Sequence, residues 1–186
     1  DDHISEPPDM FDKHLSGEDL ATAPKLRTNA DGTNYREYQG MIMPSVGLNA
    51  VVGRPLEEYG MEPSSCGQLR KGVYDVHARI DDMNVNGIAA SLNFGTCVGF
   101  DGGRFHKAAD KSKARIHMRA YNDWHIDEWC GAYPGRFIPC ALLPTWDMNA
   151  TVEEINRIAK KGCTTVSLNE NPTVQGLPSI HNEYWE

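Results

Sequence analysis

The chain of 186 residues is 40% hydrophobic and 24% charged, and its 18 Lys+Arg against 26 Asp+Glu leave a net charge of −8. That composition belongs to a folded globular protein and excludes a disordered or collagen-like chain. The length leaves room for one domain with a sizeable core, yet it falls short of the ~250 residues of a complete (β/α)8 barrel.

The acidic balance argues against a nucleic-acid partner, which requires a basic stripe. The densest basic cluster, Lys107 to Arg119, is interrupted by Asp110. No apolar run approaches the ~18–20 residues that span a bilayer, and Asp1-Asp2-His3 is no signal peptide, so a soluble compartment without a membrane partner is expected. Cys66, Cys97, Cys130, Cys140 and Cys163 form no C-x-x-C pair, which disfavours a disulfide framework and a thiolate zinc site and makes the cytoplasm the simplest home. The absence of an initiator Met, with an opening that reads as the end of a strand, predicts a processed or partial product.

In chain order, the opening strand leads into residues 7–75, rich in Pro and Gly and without a strong helical period. Within them a hairpin is predicted, Asn34-Tyr35-Arg36-Glu37-Tyr38 and Met41-Ile42-Met43 flanking Gln39-Gly40. This stretch reads as an excursion inserted after the first strand, either lining a site or forming a structural flap. A short helix over 78–84 follows, then a strand over 88–94, a Gly-rich stretch and a helix over 107–132 with Tyr121, Trp124, Glu128 and Trp129 near one face. Next come a strand over 137–143, a helix over 151–161 and a strand over 163–168. For the last helix, Thr151-x-x-Glu154 predicts a capping box, Ile155, Ile158 and Ala159 the inner face, and Gly162 the stop. Strands apolar on both faces that alternate with helices predict parallel βαβ units.

Asp1 and His3 stand two apart, so in a strand both leave the same face. A carboxylate beside an imidazole suits Zn, Mn or Fe, and the same spacing also describes two solvated polar side chains. The loop Gly99-Phe100-Asp101-Gly102-Gly103 can present Asn93, Thr96 or backbone amides to a substrate, but it matches neither phosphate-binding glycine fingerprint. His117, Tyr121, His125 and Glu128 fall at helical spacing and are read as packing and surface groups. His77 and His106 have no partner visible in sequence, and Cys97 is read as a small buried thiol.

A series of segments carries a resemblance. Asp1-Asp2-His3-Ile4-Ser5-Glu6-Pro7-Pro8-Asp9-Met10-Phe11, Arg79-Ile80-Asp81-Asp82-Met83, Asn86-Gly87-Ile88, Tyr121-Asn122-Asp123-Trp124, Arg136-Phe137-Ile138-Pro139, Asn171-Pro172 and Gly176-Leu177-Pro178-Ser179-Ile180-His181 follow in order over almost the whole chain. Together they resemble the amidohydrolase-related family that includes aminocarboxymuconate-semialdehyde decarboxylase and the resorcylate decarboxylases. The resemblance implies a metal-dependent (β/α)8 barrel, of which residues 1–186 are the N-terminal half: about four βα units, with 7–75 inserted and 76–186 the repeats.

The resemblance also implies that Asp1 and His3 are first-strand metal ligands, in a D-x-H variant of the commoner H-x-H. Glu6 becomes a further ligand candidate through an H-x-x-E pattern, with an ordinary loop carboxylate as the alternative. Asn169 and Glu170 become candidates at the rim after the fourth strand, Glu170 for the metal, although either also suits a turn before Asn171-Pro172. His181, with Asn93 and Thr96, is a candidate substrate contact. The remaining ligands of the family follow later strands.

The expected function is metal-dependent hydrolysis or non-oxidative decarboxylation of a small organic substrate, with a divalent Zn, Mn or Fe as cofactor. An iron centre that activates O2 and a non-catalytic half-barrel are the alternatives. The expected partners are the substrate, a chain or segment that supplies the other half of the barrel, and further copies in a homo-oligomer.

Overall fold

The computed structural model describes residues 2–44, 46, 47, 50–59 and 64–182. Strand β1 (Asp2–Ile4) is followed by helices α1 (Met10–His14) and α2 (Gly17–Ala21) and by strands β2 (Lys25–Thr28), β3 (Asn34–Tyr38) and β4 (Met41–Met43). Helix α3 (Val76–Val85), strand β5 (Ser91–Gly95) and helices α4 (Gly103–Lys107) and α5 (Lys111–Asp123) come next. The chain closes with strands β6 (Phe137–Ile138) and β7 (Cys140–Leu142), helix α6 (Met148–Lys160) and strand β8 (Thr165–Ser167).

The parallel strands follow sequence order. β1 pairs with β5 (His3 opposite Phe94), β5 with β6 (Leu92 opposite Ile138), and β7 with β8 (Ala141 opposite Val166). β6 and β7 cover the single strand expected over 137–143, divided at Pro139, whose nitrogen has no proton to give the ladder. On β7 a side chain stands in for a neighbouring strand: the buried Asn122 amide donates to Leu142 O at 2.9 Å and accepts from Leu142 N at 2.9 Å. A side chain thereby completes the backbone pairing of a buried strand residue.

The strand expected over 88–94 begins only at Ser91, because residues 87–90 form an exposed connection. In β5 it is Ser91, Asn93 and Gly95 that are buried, while Leu92 and Phe94 are half-buried on the opposite face. The strand, expected to be apolar on both faces, is instead packed on its small and polar face. Small and polar residues lie under the helices because Trp129, Tyr121 and Glu6 fill the space there and supply hydrogen-bond partners. A Cβ at Gly95 would lie 2.4 Å from Glu6 Oε1 and 2.7 Å from the Tyr121 hydroxyl.

The helix expected over 107–132 is three pieces. α4 ends at Lys107, Asp110 caps α5 by accepting from Lys113 N at 2.9 Å, and α5 runs into a π-helical segment, Trp124–Cys130. The wider turn of that segment buries Trp124, His125, Ile126 and Trp129 together. α6 is also corrected: its cap is Asp147, which accepts from Ala150 N at 3.0 Å, rather than Thr151. Its buried face is Ala150, Thr151, Glu154 and Ile158, and Ile155 and Ala159 are exposed. Its end is as expected, with Gly162 at φ +83° and Cys163 N bonded to Ile158 O at 3.1 Å.

Residues 7–75 contribute to the main core. Met10, Phe11, Tyr38 and Met43 are buried in one cluster with Ile4, Phe105, Met118, Tyr121 and Trp129. His117 fastens them to α5: its ring nitrogens meet the Tyr38 hydroxyl at 3.0 Å and Asp19 O at 2.8 Å. β2, which the sequence reading did not anticipate, pairs with β3 to make the hairpin a three-stranded antiparallel sheet.

Candidate functional site

His3 ends up on the face of the parallel sheet that the helices leave open. Its strand partner Phe94 and the loop residue Phe100 share that face, with ring centroids 6.3 Å and 4.5 Å from the imidazole and 5.2 Å from each other. Phe100 meets His3 edge-on at 83°. His3 Nδ1 is buried and finds no hydrogen-bond partner among the described residues. Burial holds the imidazole below its usual pKa, with Asp2 and Glu6 pulling the other way. Behind the strand, Arg79 donates through Nη2 to the His3 carbonyl at 2.8 Å.

Asp2 serves the opposite face. It accepts from Ser91 Oγ at 2.6 Å, Ser91 Oγ accepts from Asn93 Nδ2 at 3.0 Å, and Asn93 Oδ1 accepts from Trp129 Nε1 at 2.8 Å. The chain of bonds explains Asn93, expected at the rim as a substrate contact: it is buried among helix-side groups with both amide atoms engaged, and that expectation is corrected. Thr96, next after β5, is half-buried, and its backbone N donates to Ile4 O at 2.9 Å.

Glu6 is 1% exposed, and its carboxylate accepts backbone protons from Cys97 at 2.9 Å and Val98 at 3.4 Å. Arg36 donates to the Glu6 carbonyl. Cys97 is a buried thiol whose pKa burial pushes up to about 12. Glu170 and His181 are both exposed. Asp1 lies outside the described residues.

Two residues that the sequence reading did not single out organise the rim. Asp101 accepts through Oδ2 from Asn169 Nδ2 at 2.5 Å and from Gln175 Nε2 at 2.7 Å, and through Oδ1 from Gly103 N at 2.9 Å. Phe100 O accepts from Ser167 Oγ at 2.5 Å. The loop after β5 is thus bound to the residues in and after β8. An acid and an aromatic residue flanked by glycines beyond a strand were the available signal. Beside this junction a cavity of about 250 Å³ is lined by Thr145, Leu168, Asn169, Gln175, Leu177 and Ile180, among others.

Among the described residues no three His, Cys, Asp or Glu side chains converge as a metal-binding cluster, and no helix is long and apolar enough to cross a membrane. The arrangement is a mixed α/β structure with parallel strands, matching part of an amidohydrolase fold. The crystal structure of an amidohydrolase from Mycobacterium avium subsp. paratuberculosis K-10 aligns with 89% of this chain at a TM-score of 0.63 and 18% sequence identity. The chain spans about half of that protein, 47% of its length. No protein-family model matches the sequence, and no curated protein does.

Proposed function

We propose that the chain supplies about four βα units of a (β/α)8 barrel, with residues 7–75 inserted after the first strand, in an enzyme that uses a divalent metal to hydrolyse or non-oxidatively decarboxylate a small organic substrate. The observation that carries this reading is His3: an imidazole at the end of the first parallel strand, on the open face of the sheet, with a buried nitrogen that finds no partner among the described residues. Binding groups of such barrels gather at the C-terminal ends of the strands. The amidohydrolase fold likeness supports the scaffold.

His3 fits a metal centre, since a neutral imidazole offers a lone pair that Zn, Mn or Fe accepts. Asp1 is its proposed companion on sequence spacing. The remaining ligands would come from the segment that completes the barrel, which would also cover the half-buried Leu92 and Phe94 and the exposed Ile138. A divalent ion bound by His3, Asp1 and those further ligands would supply Lewis acidity toward a substrate oxygen or water. The chain's own residues do the rest. Phe94 and Phe100 wall the substrate beside His3, Arg79 fixes the end of β1 through the His3 carbonyl, and Asp101 with Asn169 and Gln175 holds the rim in place.

The test is metal analysis of the purified full-length protein, grown with Zn, Mn and Fe, alongside His3→Ala. Bound metal in near-stoichiometric amount in the parent, lost in the variant, is expected. Hydrolysis and CO2-release assays on small carboxylated and cyclic compounds then divide the two reactions. A parent protein that retains no metal refutes the proposal.

A further inference from the structure

We infer that Glu6 is a positioning residue, rather than a metal ligand, and that it holds the loop after β5 so that Phe100 covers His3. The inference rests on the proposed role of His3. Three observations carry it. Glu6 is buried with its carboxylate on the amides of Cys97 and Val98, the first turn of the loop. The space beside it is closed, because Glu6 Oε1, the Tyr121 hydroxyl and Val98 Cγ2 all crowd the position of a Cβ on Gly95. The same loop sets Phe100 against His3 at 4.5 Å and is bound at its tip to Ser167, Asn169 and Gln175.

The loop is therefore held at two points, and Phe100 hangs between them. Ser167, Asn169 and Gln175 hold the tip toward β8. Glu6 is the attachment on the side of β1, three residues from His3 in the same chain segment. Two N–H groups directed at one buried carboxylate make a charge-assisted pair that no neutral side chain reproduces. Glu6→Gln keeps the size but offers only one accepting atom, and its NH2 opposes the amide it replaces. Glu6→Asp keeps the charge and withdraws both oxygens by one methylene.

The full-length protein, the two Glu6 variants and Phe100→Ala are compared in three measurements. Hydrogen exchange followed by mass spectrometry is expected to quicken about ten-fold in a peptide covering 96–103 of Glu6→Gln, with α6 unchanged. Bound metal is expected to stay at the parent level. In metal-stripped protein, diethylpyrocarbonate is expected to modify His3 several-fold faster in Glu6→Gln, as in Phe100→Ala, with His181 as an unaffected reference. Glu6→Asp is expected between parent and Glu6→Gln in each, and it decides the matter if Glu6→Gln does not fold. Loss of metal from folded Glu6 variants overturns the inference in favour of a ligand. Parent-level His3 modification in them, while Phe100→Ala is faster, overturns it in favour of a purely structural Glu6. A parent without metal refutes the functional proposal instead, and leaves the exchange and modification results to decide Glu6.

Discussion

Acidification should unfold this protein through His125, and the contribution can be worked from its surroundings. The ring is fully buried in the π-helical segment, stacked on Tyr121 at 5.8 Å with an 8° interplanar angle, and its Nδ1 has no partner among the described residues. Nε2 has only the Cys130 sulfur, at 3.7 Å. With no anion to balance a proton, burial alone lowers the pKa from 6.5 to about 4. Between those values the unfolded chain binds a proton that the folded chain refuses. The stabilisation is therefore complete above pH 6.5, declines as pH falls, and is gone near pH 4. At about 1.4 kcal/mol per pH unit, the interval corresponds to about 3 kcal/mol, a large part of the 5–15 kcal/mol that stabilises a typical domain.

His125→Phe keeps a ring against Tyr121 and removes both the titration and the unpartnered nitrogen, so at pH 7 it should match or exceed the parent in stability. The assay is urea unfolding of both proteins at pH 7, 5.5 and 4.5. Burial also lowers the pKa values of His3, His106 and His117, and hydrogen bonds and ion pairs lower those of Asp82, Asp75 and Asp123, so the parent's acid loss has several sources besides His125. The difference between parent and variant isolates His125. Equal losses of stability in the two proteins on going from pH 7 to pH 4.5 would refute the reasoning.

Three further outcomes are expected. Asn122→Leu strips the N–H and C=O of Leu142 of their partners and removes a 2.8 Å bond to the buried Glu154, and urea unfolding should record a loss of about 3 kcal/mol. Gly95→Ala places a methyl group against Glu6 and Tyr121 and should lower stability by about 2 kcal/mol, read as a fall in Tm. Asp147→Ala removes the cap of α6 at a cost of about 1 kcal/mol in denaturant unfolding, and a loss of under 0.3 kcal/mol would return the capping role to another residue.

Where local chemistry is decisive, the sequence reading came close to the structure. The hairpin strands fall at Asn34–Tyr38 and Met41–Met43 around Gln39-Gly40, and the stop of α6 falls at Gly162. The two-residue spacing of Asp1 and His3 already points to His3, and the resemblance points to the same residue. The resemblance also makes Glu6 a ligand candidate, and sequence spacing alone does not show that two amides from a loop some ninety residues later occupy its carboxylate. Asn93 was misjudged for a related reason: an Asn in an apolar strand near a glycine loop suggests a rim, whereas Trp129, thirty-six residues on, draws it under the helices. The loop that carries Asp101 is legible as a rim loop, but its partners Asn169 and Gln175 are not, since they lie on the far side of two βα units.

The sequence by itself determined the alternation of strands and helices, the parallel character of the main sheet and the placing of an imidazole at the end of the first strand. These follow from periodicity, turn residues and the two-residue repeat of a strand, which act over a few positions. Only the tertiary structure decided which face of β5 is packed, that residues 7–75 share the main core, and that Glu6, Phe100 and Asp101 belong to one loop assembly around His3. Those outcomes depend on buried polar groups finding partners, and the partners come from distant parts of the chain brought together by packing.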